Sequence, residues 1–222
     1  MALTGTIVAD RVSELLQDVS RVTWTEPQLI EWCNDAVRAL VLVRPDVSAV
    51  FKNLQLVAGT RQELTVDGDL RLMSLPRNMG ATGSTVGRSI TGPVPQEDMD
   101  AINPSWHTDT ATGYVIQYVH DLATPKVFYV YPQVESGSEF YVEARVSQLP
   151  TVITALTETL AVDDIYGPAL IEWILYRAWS RDAETSPNWQ RGAKHYENFF
   201  NILGIKSQID AAISPESLEL AR

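Results

Sequence analysis

Cysteine, histidine and basic residues are scarce in this sequence, and each scarcity argues against a class of protein. The 222 residues include one cysteine and three histidines. A single cysteine cannot form an internal disulfide framework or a cysteine-based metal site. The 28 acidic residues outnumber the 17 basic residues, which gives a net charge of −11. Because non-specific DNA binding depends on lysine and arginine neutralising phosphates, we expect no surface that grips DNA.

Long apolar segments are also missing. The N-terminal segment MALTGTIVADRVSELL contains acidic residues and no uninterrupted apolar run, unlike a secretory signal. The most apolar helical run, ALIEWILYRAW, is much shorter than the roughly 20 residues that span a bilayer. We therefore expect a soluble protein that is made in the cytoplasm and does not contact a membrane.

The residues that could carry catalysis or bind a metal have simpler structural explanations. Cys33 lies in the apolar stripe of a predicted helix and is interpreted as a small buried hydrophobe. The histidines share no metal-ligand spacing with each other or with acidic residues. Paired acids occur at Glu97/Asp98/Asp100 and at Asp163/Asp164, near predicted helix starts, where carboxylates stabilise the helix dipole. We therefore expect no catalytic residue, no metal site and no cofactor.

A stretch rich in Gly, Ser, Thr and Pro runs from Asn78 to Pro95. It superficially resembles a phosphate-binding loop, but only three residues separate Gly83 from Gly87, and Arg88 stands where such a loop has lysine. A flexible surface loop is the preferred interpretation, and its length is typical of a functional or interface loop.

Apolar residues spaced by three and four predict helices at both ends of the chain. The first is predicted over Thr6–Val19, and the second begins at a capping box in Thr25–Gln28 and ends before Pro45. Near the other end, one helix is predicted over about Ile165–Arg181 and another from Ser186 to Gly204. The last helix has one apolar stripe, formed by Trp189, Ala193, Tyr196, Phe200 and Leu203.

The middle of the chain has strand patterns. A hairpin is predicted around Ala58–Thr60, a short helix begins at Pro95, and three strands are predicted at YVIQYVHD, KVFYVYPQV and EFYVEARV. The element order predicts an α+β fold, in which N- and C-terminal helices form a helical bundle around an inserted antiparallel β region. The predicted bounds are 1–46 with 160–204 for the bundle, 47–159 for the β-rich domain and 205–222 for a C-terminal arm.

Two features predict assembly with other chains. The helix from Ile165 is apolar on nearly every face and includes Trp173, Tyr176 and Trp179. A central core helix explains this, and so does a lateral subunit interface, which the aromatic content slightly favours. The arm beyond Gly204 has too few apolar residues to fold alone and needs a partner. Its apolar anchors are Ile205, Ile209, Ile213 and Leu218.

With these features, the sequence resembles the phage head-to-tail connector (adaptor) family of short-tailed and related tailed phages. The resemblance rests on five segments in collinear order, which cover nearly the whole chain from Thr6 to Gly204. The segments are RVSELLQDVSRVTWTEPQLIEWCNDAVRALVLVRPD, LPRNMGATGSTVGRSI, DAINPSWHTDTAT, YVIQYVHDLATPKVFYVYPQV and ALIEWILYRAWSRDAE with AKHYENFFNILG.

The resemblance implies a non-enzymatic structural subunit that forms a ring of twelve copies under the portal, at the head-tail interface of the virion. The ring would join the portal to tail nozzle or tube proteins and leave a channel through which DNA passes without specific binding. Residues 205–222 would bind the portal, and the β region with the Asn78–Pro95 loop would contact tail proteins. Two other functions remain open, a minor tail or tail-tube protein and a virion-associated glycan hydrolase that uses Glu97 and Asp98.

Overall fold

The computed structural model describes residues 2–181 and 186–212 and has an α+β fold, as predicted. Its α-helices are α1 (Gly5–Leu15), α2 (Glu26–Val43), α3 (Gln96–Ile102), α4 (Gly167–Arg181) and α5 (Ser186–Ala212). Its strands are β1 (Ala49–Gln55), β2 (Gly59–Glu63), β3 (Asp69–Gly80), β4 (Gln117–His120), β5 (Val127–Val134) and β6 (Tyr141–Gln148). The chain divides into a helical unit, Met1–Val47 with Pro150–Arg222, and a β unit, Ser48–Leu149.

Helix α4 lies at the centre of the helical unit and packs against α1, α2 and α5. Its Leu170, Ile174 and Ala178 are completely buried. Helix α2 contributes the stripe that includes Leu29 and Cys33, both completely buried as predicted. Burial of each large aliphatic side chain stabilises the fold by about 1.5–3 kcal/mol, so these helices hold one another in place.

The second helix begins as its sequence predicts. The Gln28 side chain accepts a hydrogen bond from the Thr25 backbone N–H (3.1 Å), which is one of the two hydrogen bonds of the capping box. Pro27 lies in the first turn, where its missing N–H leaves no helical bond unmade.

Residues 150–160 join the two sequence-distant parts of the helical unit. The Gly5 N–H donates to the Glu158 carbonyl (3.1 Å), and the Thr6 N–H donates to the Leu156 carbonyl (2.7 Å). Asn34 forms a reciprocal pair with the Ile153 backbone, with both distances 2.9 Å. Residues 150–159 therefore group with the helices, whereas the sequence analysis assigned them to the β-rich domain.

Helix α1 ends at Leu15, so the predicted end at Val19 is wrong. Gln17 adopts a left-handed φ of 57°, which stops the helix. The Asp18 carboxylate then accepts hydrogen bonds from the backbone N–H groups of Val22 (3.0 Å), Thr23 (3.0 Å) and Trp24 (2.8 Å). These bonds, above all the one from Trp24, hold the pKa of Asp18 below its usual range. We call residues 16–25 the Asp18 loop.

Helix α5 continues to Ala212, so the predicted end at Gly204 is also wrong. A glycine inside a helix costs only about 1 kcal/mol relative to alanine, which longer helices tolerate. The helix includes the first eight residues of the predicted arm. Of its four anchors, Ile205 and Ile209 belong to α5, while Ile213 and Leu218 lie outside the described residues.

The β unit contains two three-stranded antiparallel sheets, with orders β1-β6-β3 and β2-β5-β4. The predicted hairpin at Ala58–Thr60 is wrong, because β1 and β2 belong to different sheets. The buried Gln62 side chain accepts a hydrogen bond from the Val57 N–H (2.8 Å) and donates to the Val57 carbonyl (2.7 Å). These hydrogen bonds fix the connection between β1 and β2, where the chain passes from one sheet to the other.

Strand β6 has the alternation that the sequence predicts. Its inward face is buried throughout and is formed by Val142, Ala144 and Val146, preceded by Phe140. Strand β3, in contrast, is not predicted by the sequence analysis. Its pairing with β6 shifts register several times, and Pro76 interrupts it, so its residues do not alternate cleanly.

Part of the Asn78–Pro95 stretch pairs back onto β3, which corrects its interpretation as a flexible loop. The Gly87 N–H donates to the Asn78 carbonyl (2.8 Å), and the Ile90 N–H donates to the Pro76 carbonyl (3.0 Å). The buried Asn78 side chain donates to the carbonyls of Arg88 and Val115, both at 2.9 Å. Residues 81–86 form the turn between the two paired segments, and Gly83 is buried within it.

Two glycine substitutions test the helical unit. A Cβ on Gly5 would lie 2.8 Å from Ile153 Cδ1 and 2.9 Å from the Leu156 carbonyl oxygen, whereas a Cβ on Gly204 would meet no atom within 4 Å. We expect Gly5→Ala to lower the free energy of unfolding by about 1–3 kcal/mol through overpacking. Gly204→Ala should raise it by about 0.5–1 kcal/mol, because alanine favours a helix interior.

Urea unfolding followed by far-UV circular dichroism measures both effects. An unchanged stability in Gly5→Ala would contradict the close contact between α1 and residues 153–156. A loss of stability in Gly204→Ala would contradict a helix that passes through this position.

Candidate assembly surface

The aromatic side chains of α4 that the sequence analysis assigned to a subunit interface are half-buried. Trp173, Tyr176 and Trp179 lie beside the completely buried line of Leu170, Ile174 and Ala178. Helix α4 is therefore a core helix on one side and partly open on the other.

Helix α5 packs on α4 through contacts between aromatic rings that are tilted against one another. The Trp173 ring centroid lies 5.0 Å from that of Phe199, and the Tyr176 centroid lies 5.0 Å from that of Tyr196. The Tyr196 ring in turn lies 4.9 Å from Phe200 in an edge-to-face arrangement. Such aromatic pairs add about 0.5–1.5 kcal/mol each beyond the burial of area, so the α4–α5 pair is a rigid surface.

A polar contact fixes the register of the two helices. The Glu172 carboxylate lies 2.8 Å from Nδ1 of His195 and accepts a hydrogen bond from the Asn198 side chain (3.1 Å). The Arg191 guanidinium lies over the Trp179 ring, 5.0 Å from its centroid. Because Glu172 on α4 and its partners His195 and Asn198 on α5 are half-buried, these contacts favour the one alignment of the two helices in which they meet.

The apolar stripe predicted on α5 mostly faces away from the protein. Of its residues Leu203 is buried, as is Phe199 beside the stripe, whereas Trp189, Tyr196 and Phe200 are exposed. The α4–α5 groove, which we define by Tyr176, Ser180, Trp189, Ala193 and Tyr196, is a cavity of about 510 Å³. Exposed aromatic side chains around a concave surface are typical of protein interfaces.

Nε1 of Trp173 is buried without a hydrogen-bond partner among the described residues. A buried N–H that lacks an acceptor costs about 1–3 kcal/mol. This unsatisfied donor belongs to a ring that contacts Tyr196 and Phe199 in the aromatic cluster between α4 and α5.

The candidate catalytic residues do not form a common site. The Cys33 thiol is completely buried, and burial raises its pKa to about 12, so it is not a nucleophile. Glu97 and Asp98 are exposed on the first turn of the seven-residue helix α3, and Asp100 accepts a hydrogen bond from Trp106 Nε1 (2.8 Å). Asp163 precedes the short 3-10 helix Asp164–Tyr166, which leads into α4.

The histidines have separate structural contacts. His107 stacks on Trp106 with a centroid distance of 3.7 Å, and Nδ1 of His120 lies 3.1 Å from the Val127 carbonyl. In residues 2–181 and 186–212, no group of three or more His, Cys, Asp or Glu side chains is arranged to hold a metal ion. Within the same ranges, no helix combines the length and apolarity needed to cross a membrane.

Comparison with known proteins gives one family. The sequence matches the SU10 adaptor protein family over residues 4–218, which is nearly the whole chain. No curated protein matches the chain. The family is structural, and membership implies a virion component that oligomerises and contacts portal and tail components. The chain therefore belongs to the SU10 adaptor protein family, a family of phage adaptors.

Proposed function

We propose that this adaptor forms a closed ring of twelve copies that joins the portal to the tail and surrounds part of the DNA channel. The observation that carries the proposal is the exposed aromatic stripe of α5 beside the α4–α5 groove, on a chain that belongs to an adaptor family. An apolar surface of this kind needs a protein partner, and a copy of the same chain is the partner that a ring supplies.

In the proposed ring, the helical unit is a bundle that makes the lateral contacts. Trp173, Tyr176 and Trp179 belong to this contact, because they are half-buried within one copy and adjoin the exposed part of α5. Large aromatic side chains dominate the binding energy of many interfaces when a partner completes their burial.

The charge of the chain suits a channel through which DNA passes without binding. The net charge of −11 means that acidic side chains outnumber the basic side chains that would neutralise phosphates. A wall with this excess repels the DNA backbone rather than releasing its counterions, so the DNA would slide without adhering. We propose no catalytic role for the exposed acids Glu97 and Asp98, because both lie on the first turn of α3, where carboxylates stabilise the helix dipole.

We further propose that residues 205–222 bind the portal and that the β unit contacts tail nozzle or tube proteins. Support for the arm comes from helix α5, which extends through Ile205 and Ile209. Residues four apart share one face of a helix, so these two isoleucines and Ile213 would lie on one line if the helix continued. Leu218 would extend the apolar contact further along the arm.

Mixing the purified chain with its portal tests the ring directly. One copy has a mass of 24.7 kDa, so a saturated complex should exceed the portal alone by about twelve times that mass. Mass photometry or native mass spectrometry measures the difference. A chain that ignores the portal and assembles only on tail-tube proteins would instead support the minor tail protein.

Substitution of the four arm anchors tests portal binding. We expect the variant with Ile205, Ile209, Ile213 and Leu218 all changed to serine to bind the portal at least about tenfold more weakly, because burial of one such side chain contributes about 1.5–3 kcal/mol. The matched control is Leu122→Ser, an exposed leucine in the β unit. Biolayer interferometry with immobilised portal measures both, and equal affinities would contradict the assignment of the arm.

A further inference from the structure

The end of α1 and the Asp18 loop together present three aliphatic side chains to solvent. Leu15, at the end of α1, is 61% exposed, and Val19 and Val22 are 72% and 79% exposed. These side chains lie within eight residues of one another and contribute little to the core of the helical unit. No part of the function proposed above uses them.

The loop is held rigidly in this form. Three backbone N–H groups donate to the Asp18 carboxylate, and Arg21, which has a left-handed φ of 52°, forms an ion pair with Asp10 on α1. The Trp24 ring closes the loop against Trp32 of α2, with a centroid distance of 5.5 Å. Because the loop is already ordered, the protein would lose little conformational entropy when Val19 and Val22 bind a partner.

The helical unit also has a concave apolar surface. The α4–α5 groove is bounded by Tyr176 and Ser180 on α4 and by Trp189, Ala193 and Tyr196 on α5. Trp189 is 64% exposed at the edge of this groove. One copy therefore has an ordered apolar loop, whose Trp24 packs against Trp32 of α2 and under Arg181 of α4, and a concave apolar site between α4 and α5.

A closed ring of more than two copies needs two different patches that complement each other, because each copy meets its neighbours head to tail. We propose that the Asp18 loop of one copy inserts Val19 and Val22 into the α4–α5 groove of the next copy. The inference rests on the ring proposed above and names the two surfaces that would form its repeating contact.

The charges of the helices that carry the two surfaces favour this pairing over contact between identical surfaces. From α1 through α2, residues 5–43 contain six acidic and three basic residues. Helices α4 and α5 together contain five basic and three acidic residues, although the chain as a whole is strongly acidic. The opposite excess charge of these helices favours the encounter of loop and groove, whereas two loop-bearing sides or two groove-bearing sides carry charge of the same sign.

A disulfide cross-link tests the pairing. The double variant Val19→Cys/Ala193→Cys is assembled with the portal, oxidised with diamide and separated on a denaturing, non-reducing gel. The native Cys33 gives little background, because its thiol is buried and its pKa is raised to about 12. A head-to-tail contact links each copy to the next, so we expect a ladder of covalent oligomers beyond the dimer. Each single-cysteine variant should lack the ladder.

Products limited to monomers or dimers in an assembled ring would overturn the pairing of loop and groove, while leaving the ring itself intact. If the wild-type chain does not bind the portal at all, the proposed ring is wrong, and the pairing of loop and groove is wrong with it. The two failures are therefore distinguishable from the wild-type sample run beside the variant.

A second variant removes the apolar contact without introducing cysteine. We expect Val19→Ser/Val22→Ser to raise the concentration needed for assembly by at least about tenfold, with an unchanged circular dichroism spectrum. Leu42→Ser is the matched control, because Leu42 is 83% exposed on α2, outside the loop. Equal assembly of the loop variant and the wild-type chain would overturn the proposal.

Discussion

The contact between α1 and residues 153–160 is the constraint on which the helical unit depends. It joins two parts of the chain that the whole β unit separates, and it includes backbone hydrogen bonds from Gly5 and Thr6. The lack of a side chain at position 5 lets the backbones approach, and the buried Leu156 and Leu160 fill the space beside them. Helix α4 follows a few residues later, so this contact positions the helix that carries the aromatic surface.

Much of this fold is predictable where the local pattern and the tertiary environment agree. The stripe of α2, its Thr25–Gln28 capping box and the alternation along β6 are examples. The predictions fail where one side chain overrides the pattern. Asp18 binds the backbone N–H groups of residues 22–24 and so fixes a loop after the shorter α1, and Gln62 turns the chain from one sheet into the other. The spacing of apolar residues in the sequence gives no indication of these side-chain hydrogen bonds.

The sequence identifies the aromatic residues of the candidate site, but it does not show whether they face the core or the solvent. The aromatic residues of α4 are half-buried, and their role in a lateral contact remains a proposal. On α5, the predicted stripe is mostly exposed, since Trp189, Tyr196 and Phe200 face solvent, while Leu203 and the neighbouring Phe199, which the stripe did not include, are buried. Helical periodicity identifies an apolar face without showing whether the same chain or another covers it. The exposed face is therefore the feature that connects the fold to an adaptor that acts by assembling.

Membership of the adaptor family and the uncovered aromatic face lead to one account, in which a rigid helical unit repeats around a channel that DNA does not bind. The most direct measurement is a cryo-electron microscopy reconstruction of the chain assembled on its portal. The account predicts a closed ring of twelve copies in which neighbouring helical units touch through α4 and α5. Separate copies scattered on the portal, or a ring whose neighbours touch only through their β units, would contradict it.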